Sequence, residues 1–78
     1  MSLIRDVRQE WSDPVTLDHD EIWQARSGSI FFTTSPDPEG DDGLAMVLRD
    51  GVRLGAGVAV RYRKEGDGTA LIAREVVA

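Results

Sequence analysis

Cysteine is absent from the chain, which excludes a disulfide framework, a thiolate zinc site and a thiol nucleophile. Histidine occurs once, at His19, so no zinc site can be completed from this chain alone. Any nucleophilic serine, whether Ser27, Ser29 or Ser35, would depend on that one imidazole as its base. Lysine also occurs once, at Lys64, against eight arginines. No apolar run approaches the ~20 residues that span a bilayer, and Met1 to Trp11 mixes charge with apolar residues and has no signal-peptide core. Aromatics are few: Trp11, Trp23, Phe31, Phe32 and Tyr62.

The sequence has 78 residues, 41% of them hydrophobic and 29% charged. That composition belongs to a folded soluble chain, and the length allows one small core. A binding pocket of ~300–1,000 Å³ is hard to build inside so short a chain, so catalysis is not expected. Net charge is −5, and it is uneven. Residues 27–43 hold four acids and no base, whereas residues 44–78 hold six bases and four acids. Nucleic-acid binding rests on neutralising phosphates, so an acidic chain is poorly suited to it. Arg61, Arg63 and Lys64 form the one basic cluster that could serve, and arginine suits fixed subunit contacts equally well.

Leu3, Ile4, Val7 and Trp11 fall on one face of a helix, with Ser2 as a candidate N-cap. Asp13-Pro14 ends any such helix, and an extended arm is the rival form for a segment this short. From Val15 the punctuation is that of a β protein. Strands are expected at 15–17, 21–26, 29–35, 44–49, 52–54, 58–63 and 69–77, separated by turn signals every 8–12 residues. Asp50-Gly51 predicts a two-residue hairpin folding Leu44–Arg49 onto Val52–Leu54. Gly55-Ala56-Gly57 is followed by β-type sequence and not by a helix, so it predicts a bulge or sheet corner, not a phosphate loop. The expected fold is all-β: an N-terminal helix or arm over 1–14, then one domain over 15–78 forming an antiparallel barrel or sandwich of about five to seven strands. The expected core is Val15, Leu17, Trp23, Ile30, Phe32, Leu44, Met46, Leu48, Val58, Val60, Tyr62, Ile72 and Val76.

Candidate chemistry is thin. Asp18, His19 and Asp20 read as a polar turn, because neighbouring side chains on a strand point to opposite faces. Asp37, Glu39, Asp41 and Asp42 lack EF-hand spacing and read as a solvated loop over 36–43. No catalytic residue, cofactor or metal ligand is expected. Phe31 and Phe32 cannot both enter one core, so Phe31 requires cover from the arm or from another chain. A core below ~70–80 residues seldom suffices alone, and with disulfides excluded the remaining reinforcement is association. The expected contact surface is Leu3, Ile4, Val7, Trp11 and Phe31.

Residues 22–77 resemble small β proteins of tailed-phage-like particles, including virion proteins of alphaproteobacterial gene transfer agents. The resemblance is carried by Arg26-Ser27-Gly28, Thr33-Thr34, Asp41-Asp42-Gly43, Ala56-Gly57 before Val60-Arg61-Tyr62-Arg63, and Ile72-Ala73-Arg74-Glu75. It implies a non-catalytic structural role as an oligomeric particle component, such as a capsid decoration or spike base. Partners would then be further copies or other particle proteins, and the chain would be cytoplasmic until assembled into the virion. The outline also resembles Sm-like barrels, which implies the alternative of a nucleic-acid-binding module using Arg61, Arg63 and Lys64.

Overall fold

In the computed structural model, which describes residues 1–39 and 43–77, eight short strands build two antiparallel four-stranded sheets. The strands are β1 (Ser2–Ile4), β2 (Val15–Thr16), β3 (Glu21–Ser27), β4 (Ile30–Thr33), β5 (Leu44–Met46), β6 (Gly51–Leu54), β7 (Ala59–Lys64) and β8 (Leu71–Val76). One sheet has the order β1-β8-β3-β6 and the other β2-β7-β4-β5. Each strand lies in the opposite sheet from its predecessor, except that β5 follows β4 in the same sheet. The chain thus laces the two layers together, and the all-β expectation holds.

Alternation of side chains decides which face is buried. On β3, Glu21, Trp23 and Ala25 point inward and are buried, while Ile22 and Arg26 are exposed. On β4, Ile30 and Phe32 point inward. On β7 the partly buried Tyr62 stands opposite Phe32, and the buried Val60 shares its face two residues earlier. Trp23 and Tyr62 meet across the two layers edge to face, with ring centroids 5.9 Å apart. Such a pair is worth ~0.5–1.5 kcal/mol beyond the area it buries.

Corners carry the chain from sheet to sheet. Between β3 and β8 the register slips from Ala25↔Ile72 to Ser27↔Leu71, leaving Arg26 as the extra residue of a bulge. A bulge sharpens local twist, and the chain then turns at Gly28 (φ +74°) into the other sheet. After β6, Val58 N–H bonds the Gly55 carbonyl in a turn whose third residue, Gly57, has φ +86°. The Asp20 carboxylate holds that turn from β3's side, accepting the Ala56 N–H at 2.9 Å and Arg53 at 3.2 Å. The Ala56 N–H, and Arg53 after it, keep this carboxyl below the usual aspartate range.

The choice between helix and arm is decided, and two expectations need correction. The described residues contain no helix: Ser2–Ile4 is strand, pairing with Arg74, Ala73 and Ile72 of β8. A helix this short is marginal on its own, whereas an extended arm satisfies its backbone on β8 and still turns Ile4 toward the core. The arm is also what raises the strand number to eight. Asp50-Gly51 closes no hairpin, because β5 pairs with β4 and β6 with β3. The turn spans Val47 to Asp50 instead: the Asp50 N–H donates to the Val47 carbonyl at 2.9 Å, and the Asp50 carboxylate accepts the Val47 N–H at 3.2 Å. Its left-handed residue is Arg49, at φ +74°. Of the expected core, Leu44, Leu48 and Val76 are 68%, 57% and 52% exposed. Leu44 has the inward parity of Met46 but sits on an edge strand, Leu48 lies in the turn, and Val76 is the last residue of β8. Val7, Ala25, Leu54, Ala70 and Ala73 are buried.

Opposite outcomes are expected at two of the left-handed positions, Gly28 and Arg49. A Cβ at Gly28 would lie 2.7 Å from the Thr69 carbonyl oxygen, so Gly28→Ala combines strain with a backbone clash and should destabilise by about 2–3 kcal/mol. Arg49→Gly relieves ~1–2 kcal/mol of left-handed strain at a backbone-entropy cost of ~0.5–1, for a net gain of about 0.5–1 kcal/mol. Urea unfolding midpoints of the two variants check both signs.

Candidate functional site

Glu21 opens β3 and is buried, 6% exposed. Trp23 shares its face two residues on, and Arg74 lies directly across from Trp23 on β8. The Trp23 indole N–H donates to Glu21 Oε1 at 3.0 Å. Arg74 donates through Nε to Oε1 at 2.8 Å and through an Nη to Oε2 at 3.0 Å, a two-point clamp. The Arg74 guanidinium also lies over the Trp23 ring, 5.1 Å from its centroid. Arg74, more than any other group, holds the Glu21 carboxyl below the ordinary glutamate range; burial opposes it, and the Trp23 N–H adds to it. A carboxylate whose oxygens are already engaged and whose proton affinity is lowered is suited to anchoring strands, not to moving protons.

A second cluster lies on the outer face of the other sheet. Phe31 pairs with Arg63 across β4 and β7, and the Arg63 guanidinium lies 4.4 Å from the Phe31 centroid and 5.4 Å from that of Trp11. The arm runs alongside: Ser12 N–H donates to the Tyr62 carbonyl at 2.9 Å, Tyr62 N–H donates to Ser12 Oγ at 3.0 Å, and Lys64 N–H donates to the Arg8 carbonyl at 2.7 Å. Arg61 donates to the Ser12 carbonyl at 3.0 Å, and the Lys64 ammonium donates to the Gly68 carbonyl at 3.0 Å.

The residues expected at an interface are therefore used mainly within the chain. Val7 enters the core, Ile4 packs against it, Leu3 is half-buried beside Ala73, and Trp11 and Phe31 meet through Arg63. Arg61, Arg63 and Lys64 share β7, but Arg61 and Lys64 are tied to backbone carbonyls and Arg63 to aromatic faces. The neighbouring cleft, about 560 Å³, is lined by Asp6, Glu10 and Asp13 with one cation, Arg8, and by Trp11 and Tyr62. Its sign suits no phosphate backbone. His19 is exposed in a bend, and among the described residues no three carboxylates or imidazoles gather as a metal set. Of the acidic loop, residues 40–42 lie outside the described residues.

The feature not expected from sequence is on β5. Leu44-Ala45-Met46-Val47-Leu48 is apolar at every position, and only Met46 is buried; Leu44 lies exposed on the outermost strand of its sheet, and Val47 and Leu48 lie exposed in the turn that follows it. The signal was the run itself. Five successive apolar residues cannot all face one core from an extended strand. Edge strands are ordinarily blunted by shortness, charge or proline; β5 is three residues long, and just beyond it the Asp50 carboxylate accepts the Val47 N–H.

Two outcomes check the buried clamp. Arg74→Met leaves Glu21 uncompensated and should cost roughly 2–3 kcal/mol, less than for a wholly buried pair because the Arg74 side chain is 26% exposed. Because Glu21 has a lower proton affinity folded than unfolded, its contribution is complete above the ordinary glutamate range and lost as pH falls through the folded value. Unfolding midpoints measured from pH 7 to pH 3 should therefore fall less steeply in Glu21→Gln than in the parent chain. Comparisons with family models, curated proteins and solved structures returned no match, so the functional reading rests on this chain's own geometry.

Proposed function

We propose that this chain is a non-catalytic assembly subunit, working by binding other protein chains as an oligomeric component of a phage-like or gene-transfer-agent particle. The observation that carries the reading is the exposed apolar run of Leu44 on the edge strand β5 with Val47 and Leu48 in the turn after it. Exposed apolar surface on an open sheet edge is costly to keep in water and is characteristic of surfaces that become covered. The organised polar groups agree with a structural role: the Glu21–Arg74 clamp fastens β3 to β8, and the Ser12–Tyr62 pairing fastens the arm to β7. Placement in a particle draws its support from the resemblance of residues 22–77. The Sm-like alternative is disfavoured because Arg61, Arg63 and Lys64 are engaged within the chain and border an acidic cleft.

Light scattering of the full chain at micromolar concentration should give a mass above that of the monomer, and the protein should co-sediment with particles from its source. A monomer found in no particle fraction overturns the reading; tight oligonucleotide binding at ~0.15 M salt would favour the alternative. Deleting residues 1–12 should abolish cooperative unfolding and not merely dissociate an oligomer, because it removes β1, the buried Val7 and the Ser12 bonds to Tyr62.

A further inference from the structure

We propose that the Asp13–Pro14 peptide bond is a self-cleavage site, at which the Asp13 carboxylate cuts its own main chain while the Ser12 hydroxyl holds the carbonyl oxygen. The bond lies where the arm runs along β7. Ser12 faces Tyr62 there and Val15 pairs with Val60, so Asp13 and Pro14 together stand against the single residue Arg61. Two residues against one make a bulge, a setting in which a sheet accepts proline. The Ser12 carbonyl is turned out of the ladder, and Arg61 donates to it at 3.0 Å. The Tyr62 N–H donates instead to Ser12 Oγ, at 3.0 Å.

Having accepted that N–H, Ser12 Oγ directs its own proton to the Asp13 carbonyl oxygen, 2.9 Å away. This is the carbonyl of the bond to Pro14. A donor fixed there stabilises the negative charge that gathers on the oxygen when the carbon is attacked. The attacking group is at hand: the Asp13 side chain is exposed, and among the described residues its carboxylate has no hydrogen bond or ion pair. Tethered to the carbon it attacks, it acts at the high effective concentration of an intramolecular group. Pro14 supplies the leaving group, a ring nitrogen without a hydrogen that departs as a basic secondary amine. The bond also lines the cleft of about 560 Å³ beside Asp6, Arg8 and Glu10, so water reaches it.

The step balances with water alone. A carboxylate oxygen of Asp13 bonds the Asp13 main-chain carbonyl carbon and closes a cyclic anhydride. The carbon–nitrogen bond to Pro14 breaks, its electron pair leaves with the nitrogen, and the nitrogen takes a proton from solvent. One water then opens the anhydride, leaving Asp13 with a free α-carboxylate beside its β-carboxylate. The cut does not itself release the arm: β1 stays paired with β8, Val7 stays in the core, and the bonds of Arg8 and Ser12 to β7 are untouched. A covalent strap becomes a bound segment. The chain carries its own control in a second Asp-Pro bond, Asp37-Pro38. Among the described residues no hydrogen bond reaches the Asp37 carbonyl.

The test incubates the full chain at about pH 5, above the ordinary aspartate range, and follows both bonds by mass spectrometry. In the folded chain the cut into residues 1–13 and 14–78 should run roughly tenfold or more faster than the cut at Asp37-Pro38. In concentrated urea, where the bulge is lost, the two rates should converge. Ser12→Ala should lower the folded rate at Asp13-Pro14 to that at Asp37-Pro38, Ser12→Thr, which keeps a hydroxyl, should hold it, and Asp13→Asn should suppress it. Far-UV circular dichroism checks that each variant stays β-type. If Ser12→Ala unfolds, the ratio of the two bonds in the parent chain, folded against urea, decides alone. Equal rates at the two bonds in the folded chain, a preference that persists in urea, a folded Ser12→Ala variant that keeps the preference, or a chain that stays whole at Asp13-Pro14 each overturns the proposal, and none of them touches the assembly reading.

Discussion

A carboxylate inside a domain of this size is tolerated only because three donors converge on it, and much of the fold is arranged around that convergence. Glu21 sits where β3 begins, Arg74 reaches it from β8, and Trp23 reaches it from its own strand. The same three residues therefore fix the β3–β8 register, orient the largest core side chain and place a guanidinium over its ring. Trp23 in turn meets Tyr62 of the facing sheet edge to face. A polar network whose members are all satisfied specifies one arrangement of the strands in a way that a purely apolar core would not. Truncating any member strands a buried group that water no longer reaches.

Against that interior, the N-terminal arm acts as a strap. It begins on β8 of one sheet and continues along β7 of the other, with main-chain bonds at Arg8 and Ser12 before Val15 and Thr16 pair as β2. Val7 supplies the buried plug between these two attachments, and Trp11 lies beside the Arg63–Phe31 pair outside. The problem that Phe31 posed in the sequence is thus solved within the chain. A cation lies on its face, and Trp11 of the arm lies against the cation.

Strand alternation was legible where a strand has one wet and one dry face. Glu21–Ser27 and Ile30–Phe32 follow the period-two pattern, and Leu17, Trp23, Ile30, Val60 and Ile72 were identifiable as core. Helix and arm stayed open over the first fourteen residues, because an apolar spacing that fits one face of a helix also fits an extended chain that changes sheets partway. The Asp50-Gly51 signal misled for a related reason. Turn chemistry reports that the chain bends but not whether the flanking strands share a sheet, and here partners more distant in sequence, β4 and β3, claimed them. The Glu21–Arg74 clamp joins residues far apart in the sequence and depends on cross-strand register, which no local pattern encodes. The β5 edge was visible as a run of five apolar residues, but its exposure follows from sheet order.

Lacing nearly every link from one layer to the other also governs how the chain can fold. Apart from β4 and β5, consecutive strands do not pair with one another: β3 waits for β6 and β8, and β1 pairs with a strand some seventy residues further on, Leu3 against Ala73. The loop-closure entropy of such distant pairings is spent before their contacts can repay it, which places this architecture among the slow-folding small domains. During that delay Leu44–Leu48 is already synthesised, apolar and uncovered, while the arm still lacks the strands it will strap. Transiently exposed apolar surface is what makes a slowly folding chain prone to aggregate, so the rate of folding matters here as much as the finished surface.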